Sequence, residues 1–154
     1  MSSELDLSIV IQRPIDDVFK NATCLRGCVN WQTAIVSSEK LDPGPTEVGS
    51  RFHHVVKFLG MNSETHPEVL RINPPYEFAY ADPDARFPFE TRFLFEEVPE
   101  GTLFTIHLHG EIDQTLLGKI AKPILERAIV RQFEADLTSL KDLLEHGITV
   151  HAKD

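Results

Sequence analysis

The sequence predicts an α+β domain: a curved antiparallel sheet of six or seven strands around one long C-terminal helix, with two short helices after the first strand. Three observations carry this. The apolar period is 2 over most of residues 33–112 and changes to 3.6 after Asp113. The gaps between the strand-like runs are short and rich in turn residues, so neighbouring strands pair as antiparallel hairpins or meanders. The 154 residues, 42% of them hydrophobic, suit one domain over residues 1–154 with a sizeable core.

Each element has its own local reason. In residues 5–12, LDLSIVIQ, the side chains of Leu7, Ile9 and Ile11 alternate onto one face, which predicts a strand. Pro14 suits the first position of a helix, where its missing N–H costs nothing, and Asp16 and Asp17 favour the positive end of the helix dipole. That helix runs to about Asn21 with Val18 and Phe19 inward, and a second short helix or turn spans 25–31, interrupted by Gly27. Strands are expected at 33–41, 50–59, 62–73, 77–82, 88–98 and 102–112, punctuated by Asp42-Pro-Gly-Pro, Gly60, Asn73-Pro-Pro, Asp82-Pro-Asp and Pro99-Glu-Gly. Pro67, inside the run 62–73, implies a bulge or an edge. The long helix covers about 115–145. Leu117, Ala121, Ile124, Ala128, Phe133, Leu137, Leu140 and Leu144 form its stripe, widened by Leu116, Ile120, Leu125 and Ile129. Asp113 or Thr115 can cap its start, Gly147 can end it, and Pro123 kinks or breaks it in its first third. The tail 148–154 is expected to fray.

A sheet of this length must curl, and one helix cannot fill its concave side. A cavity between sheet and helix follows, of the kind that binds small, mostly apolar ligands. Composition excludes other classes. With 15 Lys+Arg against 24 Asp+Glu, net charge −9, the surface repels phosphate backbones and anionic lipid, so no nucleic-acid partner is expected. No apolar run approaches the ~20 residues that span a bilayer, so no stable membrane insertion is expected. The N-terminus lacks the basic and apolar regions of a secretion signal. Cys24 and Cys28, four apart and alone, suit neither a disulfide nor a zinc set. The expectation is a cytoplasmic protein with reduced thiols, no metal and no cofactor, for there is also no phosphate-binding loop, G-x-G-x-x-G or G-x-S-x-G. Nothing in the sequence speaks to oligomeric state.

Several local patterns occur in a familiar order: Ile9-Val-Ile-Gln-Arg-Pro-Ile-Asp-Asp-Val-Phe, Trp31, Gly49-Ser-Arg-Phe, Val69 to Phe78 with Asn73-Pro-Pro, Phe95-Glu-Glu-Val-Pro-Glu-Gly-Thr, and Arg131-Gln-Phe-Glu-Ala-Asp-Leu with Leu140-Lys. Over residues 5–145 the chain thereby resembles the START/Bet v 1-like (SRPBCC) helix-grip superfamily, in particular its polyketide cyclase/dehydrase-like branch. The resemblance implies the helix-grip fold. That superfamily includes cyclases, aromatases, lipid carriers, hormone receptors and co-chaperone-like domains, and fold alone does not choose among them.

Strand parity selects the residues that face the cavity. Phe52, Val56 and Phe58 share a face and bring His54 inward, with His53 outward. Phe78 and Tyr80 share the inner face, and so do Phe89, Phe93 and Phe95, which bring Thr91 with them. Phe104, Ile106 and Leu108 point inward and leave His107 and His109 outside. The candidate catalytic residues are His54, an acid or base near neutral pH, and Tyr80, a donor to a ligand carbonyl or enolate. The candidate ligand-binding residues are Trp31, Phe52, Val56, Phe58, Phe78, Phe89, Thr91, Phe93, Phe104, Ile106, Ile120 and Ile124. Three functions follow: binding of a hydrophobic small molecule (lipid, polyketide or isoprenoid-like), a cyclase or dehydratase using His54 and Tyr80, and a co-chaperone-like interaction domain. The ten Phe residues, which put apolar area on the walls, favour the first.

Overall fold

The structure is a computed structural model that describes residues 2–58, 60–111, 118 and 120–150. The elements run β1 (Ser2–Ile11), α1 (Ile15–Ala22), a 3₁₀ helix (Leu25–Asn30), β2 (Ile35–Lys40), β3 (Phe52–Phe58), β4 (Met61–Thr65), β5 (Glu68–Asn73), β6 (Glu77–Asp82), β7 (Phe89–Val98), β8 (Gly101–Glu111) and α2 (Lys122–Glu145). This is the helix-grip arrangement, with the strands in two antiparallel sheets ordered β1-β8-β7-β6-β5 and β2-β3-β4.

The sheets meet at a corner that Pro67 makes. The run expected as one strand over 62–73 is two, β4 and β5, so the described residues form eight strands rather than six or seven. Proline has no N–H to give a ladder. Its carbonyl instead accepts from Phe52 N (3.0 Å), while His66 N donates to the Asp82 carboxylate (2.6 Å). Beyond the break, Val69 N donates to Ser50 O (2.9 Å) and Gly49 N to Val69 O (2.8 Å). The start of β5 therefore pairs with the lead-in to β3, and the wall bends round instead of ending.

Two helix expectations are corrected. Pro14 is not the first residue of α1 but its N-cap, held extended (φ −60, ψ 148), and its carbonyl accepts from Asp17 and Val18 N. Pro123 neither kinks nor breaks α2. It stands in the first turn of a helix that begins at Lys122, where a ring without an N–H disturbs nothing. The proposed caps Asp113 and Thr115, and the stripe residues Leu116 and Leu117, lie outside the described residues. Gly147, at φ 75, does end the helix. The tail is tied rather than frayed as far as Val150: its side chain is buried, and its N–H donates to Asn21 Oδ1 (2.9 Å).

One end of the grip is packed solid. Ile15, Val18 and Phe19 of α1, Leu25 and Cys28 of the 3₁₀ helix, and Leu137, Leu140 and Leu144 of α2 close over Ile11, Phe93, Phe95, Phe104 and Ile106. The rings of Phe95 and Phe104 stack at 4.8 Å, and Phe93 meets Phe104 edge-on at 5.2 Å. Gly101 lets the β7–β8 turn press on β1: at φ 144, a Cβ there would lie 2.3 Å from Ile11 O. The end of α2 is fastened to β1 by Lys141 Nζ, which donates to Val10 O (2.8 Å), and by Gln12 N, which donates to Glu145 (2.8 Å).

Candidate functional site

The other end of the grip is hollow. The first half of α2 turns the apolar side chains Leu125, Ile129 and Phe133 toward the sheet, where they meet Leu5 and Phe58 in a small separate cluster. Between this cluster and the solid core lies a cavity of about 200 Å³. Its walls come from β1 (Ser3, Leu5), the segment before β2 (Gln32, Ala34), β3 (His54, Val56, Phe58), β4 (Ser63, Thr65), Tyr80, Phe87 to Phe89, Thr91, Leu108 and the α2 residues Ile129, Gln132 and Phe133. A larger depression of about 570 Å³ lies near Arg51, His66, Glu68 and Glu90. It shares Pro88, Phe89 and Glu111 with the cavity but mixes charged side chains with apolar ones, whereas the cavity is walled mostly by apolar ones.

His54 stands at the heart of the site. Strand alternation aims it inward, it is 2% exposed, and burial pushes its imidazole down to about 4, with the neighbouring His53 adding to the shift. It is therefore neutral at pH 7. Its Nε2 is buried and has no hydrogen-bond partner among the described residues. Directly opposite, in register across β3 and β4, stands Thr65, 8% exposed, whose Oγ1 is unpartnered in the same sense. Most buried polar atoms in proteins are satisfied, so two such atoms side by side on one wall are unusual. His53 lies outward and meets Glu64 (3.3 Å).

Tyr80 is differently placed. Its hydroxyl lines the cavity but is bonded to Thr91 and Gln32, and burial raises its pKa above the usual phenol value. Its hydrogen bonds are thus already made by the protein. Deeper along α2, Asp136 is 1% exposed and accepts from both Thr33 N and Thr33 Oγ1 (3.1 Å each). Burial raises its pKa against the pull of these two bonds.

Of the sequence-predicted residues, His54, Tyr80, Val56, Phe58, Phe89 and Thr91 are brought together on the cavity wall. Trp31, Phe52, Phe78, Phe93, Phe104 and Ile106 are placed instead in the solid core, where the rings of Trp31, Phe78 and Phe104 pack against Phe93. Ile120 and Ile124 are placed outside, 38% and 61% exposed. Leu125 and Ile129, four apart, set the inward face of α2, and Ile124 sits about 100° round from Leu125. Gln32, Thr65, Gln132 and Phe133 were not among the predicted residues. Thr65 could have been found by parity once the strand was broken at Pro67. His107 and His109 face outward, where Asp6 and Glu4 of β1 meet them.

A family model described as polyketide cyclase / dehydrase and lipid transport matches residues 3–145. The chain belongs to that family. No curated protein matches it. Solved structures share its fold at low identity. The protein TTHA0849 from Thermus thermophilus superposes with TM-score 0.77 at 18% identity over 91% of this chain and 95% of that one. A START superfamily protein from Mycobacterium smegmatis gives 0.77 at 14% identity, covering 93% and 97%. The di-domain ARO/CYC StfQ of the steffimycin biosynthetic pathway gives 0.75 at 13%, covering 94% of this chain and 52% of its own. The START-like, helix-grip architecture implied by the sequence is thus the architecture of the chain. No helix among the described residues is long and apolar enough to cross a membrane.

Proposed function

We propose that the protein binds a small hydrophobic molecule in the cavity between the sheets and the first half of α2. The observation that carries this is the cavity itself: about 200 Å³ of space walled by Leu5, Val56, Phe58, Leu108, Ile129 and Phe133 beside a core that is otherwise closely packed. Closely packed interiors rarely keep such space, and apolar cavities of this order take up apolar ligands. The family's description and the START-like neighbours support the same reading. The test is titration with naphthalene, followed by nuclear magnetic resonance. Saturable binding with shifts confined to the wall is expected in the wild type, and its loss in Ala34→Phe, which fills the space from the wall. Wild-type protein that takes up no naphthalene would refute the reading.

A second reading, catalysis of the cyclase or dehydratase type, is supported by one observation. His54 presents a neutral, unpartnered nitrogen inside an apolar site, the setting of a proton-transfer group. Tyr80 would serve there as wall rather than as donor, its hydroxyl being engaged by Thr91 and Gln32. Turnover of a poly-β-keto thioester that vanishes in His54→Phe, with naphthalene uptake retained, is the outcome this reading expects.

A further inference from the structure

We infer that the cavity selects an uncharged molecule of one or two rings that carries a hydroxyl group, and that His54 and Thr65 together hold this hydroxyl. The inference rests on the binding reading above and adds the chemical class of the ligand.

The polar pair comes first. His54 and Thr65 are directly opposed residues of adjacent antiparallel strands, so they lie on the same face with Cβ atoms about 5 Å apart. Both are buried and both line the cavity. His54 Nε2 and Thr65 Oγ1 have no partner among the described residues, while the third polar group nearby, the Tyr80 hydroxyl, is already bonded to Thr91 and Gln32. A single ligand atom seated between them would satisfy both. A hydroxyl fits them: it donates to Nε2 of the neutral imidazole and accepts from the Thr65 hydroxyl, whereas a plain hydrocarbon leaves two buried polar atoms unpaired.

Charge comes second. No lysine or arginine is among the described residues of the wall. The one carboxylate there, Glu111, stands at the exposed end of β8 beside His109. Among the described residues a carboxylate ligand would find no counter-ion, and an ammonium would find only Glu111. Burying either charge unpaired is strongly unfavourable. Size comes third. A cavity of about 150 Å³ accommodates benzene, so about 200 Å³ holds one ring or two fused rings.

The test compares naphthalene, 2-naphthol and 2-naphthoate at pH 7 by calorimetry on wild type, His54→Phe and Thr65→Val. On wild type, 2-naphthol should bind about thirtyfold more tightly than naphthalene, the value of two net hydrogen bonds. 2-Naphthoate should bind more weakly than either. In His54→Phe the advantage of 2-naphthol should collapse while naphthalene still binds. Thr65→Val, a near-isosteric change, should lose part of that advantage and provides the comparison if His54→Phe does not fold. Equal affinities for naphthalene and 2-naphthol on wild type, or 2-naphthoate as the tightest of the three, would overturn the inference and leave the binding reading standing. If none of the three binds, both fall.

Discussion

The two ends of the grip use the same materials to opposite effect. Under α1 and the last turns of α2, every inward ring meets another: Phe19 on Phe95 at 5.1 Å, Phe95 on Phe104, Phe104 on Phe93 and Trp31. Under the first turns of α2 the same sheet is faced, among the described residues, by Leu125, Ile129, Gln132 and Phe133, and the space left is the cavity. Phe133 packs against both clusters and stands between the two regimes. The difference teaches that the sheet does not decide where a ligand sits. The number of elements laid over it does. Among the described residues three cover one end, and only part of one covers the other.

That contrast can be broken in order of expected effect. Phe104→Ala, in the solid end, should destabilise by about 3–5 kcal/mol in urea unfolding, as removal of a fully buried ring does. Phe133→Ala, beside space that already exists, should lose only about 1–2 kcal/mol. Equal losses would mean that the two ends are packed alike.

The second effect is pH dependence from His54. Its folded pKa, about 4, lies below the ordinary value of 6.5. Between those values the unfolded chain binds a proton that the folded chain does not. The contribution is complete above pH 6.5 and is lost as pH falls through 4, by up to about 3 kcal/mol. Unfolding free energies measured from pH 7.5 to 4 should fall less steeply in His54→Phe than in wild type, and parallel curves would place His54 in water.

Asp136 marks the boundary between the ends, bonded to Thr33 just before the wall residues Ala34 and Ile35. Asp136→Ala leaves the Thr33 N–H without its acceptor and should lower stability by about 1–3 kcal/mol. Asp136→Asn keeps an accepting oxygen and removes a buried charge whose pKa is raised by burial, so at pH 7 it should equal or exceed wild type in denaturation midpoint. A large loss in the Asn variant would show that the charge itself holds α2 in place. The smallest effect is expected at Ile124, on the outer side of α2: Ile124→Asp should change stability by less than about 0.5 kcal/mol and leave naphthalene uptake unchanged.

Much of the fold was legible. Alternation in 77–82 gives β6 with its bounds, and the parity of Phe52, Val56 and Phe58 turns His54 inward, as it stands in the structure. Two prolines show how far a local reading goes. Pro67 reads as a bulge or an edge inside one strand; it stands between two strands, β4 and β5, each of which is the edge of its sheet. Pro123 reads as a kink or break within a helix but stands in its first turn. A proline says that an N–H is missing. Whether an element bends or starts there depends on what surrounds it.

By itself the sequence determined the alternation that gives each strand an inner face, the turns that make neighbours antiparallel, and the long amphipathic helix. These are properties of a few adjacent residues, fixed by backbone geometry. The tertiary structure alone decided which inward residues touch one another and which touch empty space. Phe104 and Phe89 share an inner face by parity, yet one is sealed among rings and the other borders the cavity. It also decided that Tyr80 is engaged by Gln32 and Thr91, while His54 and Thr65 present unpartnered atoms to the cavity. Partners that meet across such separations are set by how α2 and the 3₁₀ helix lie over the sheet, and no local pattern of residues encodes that distance.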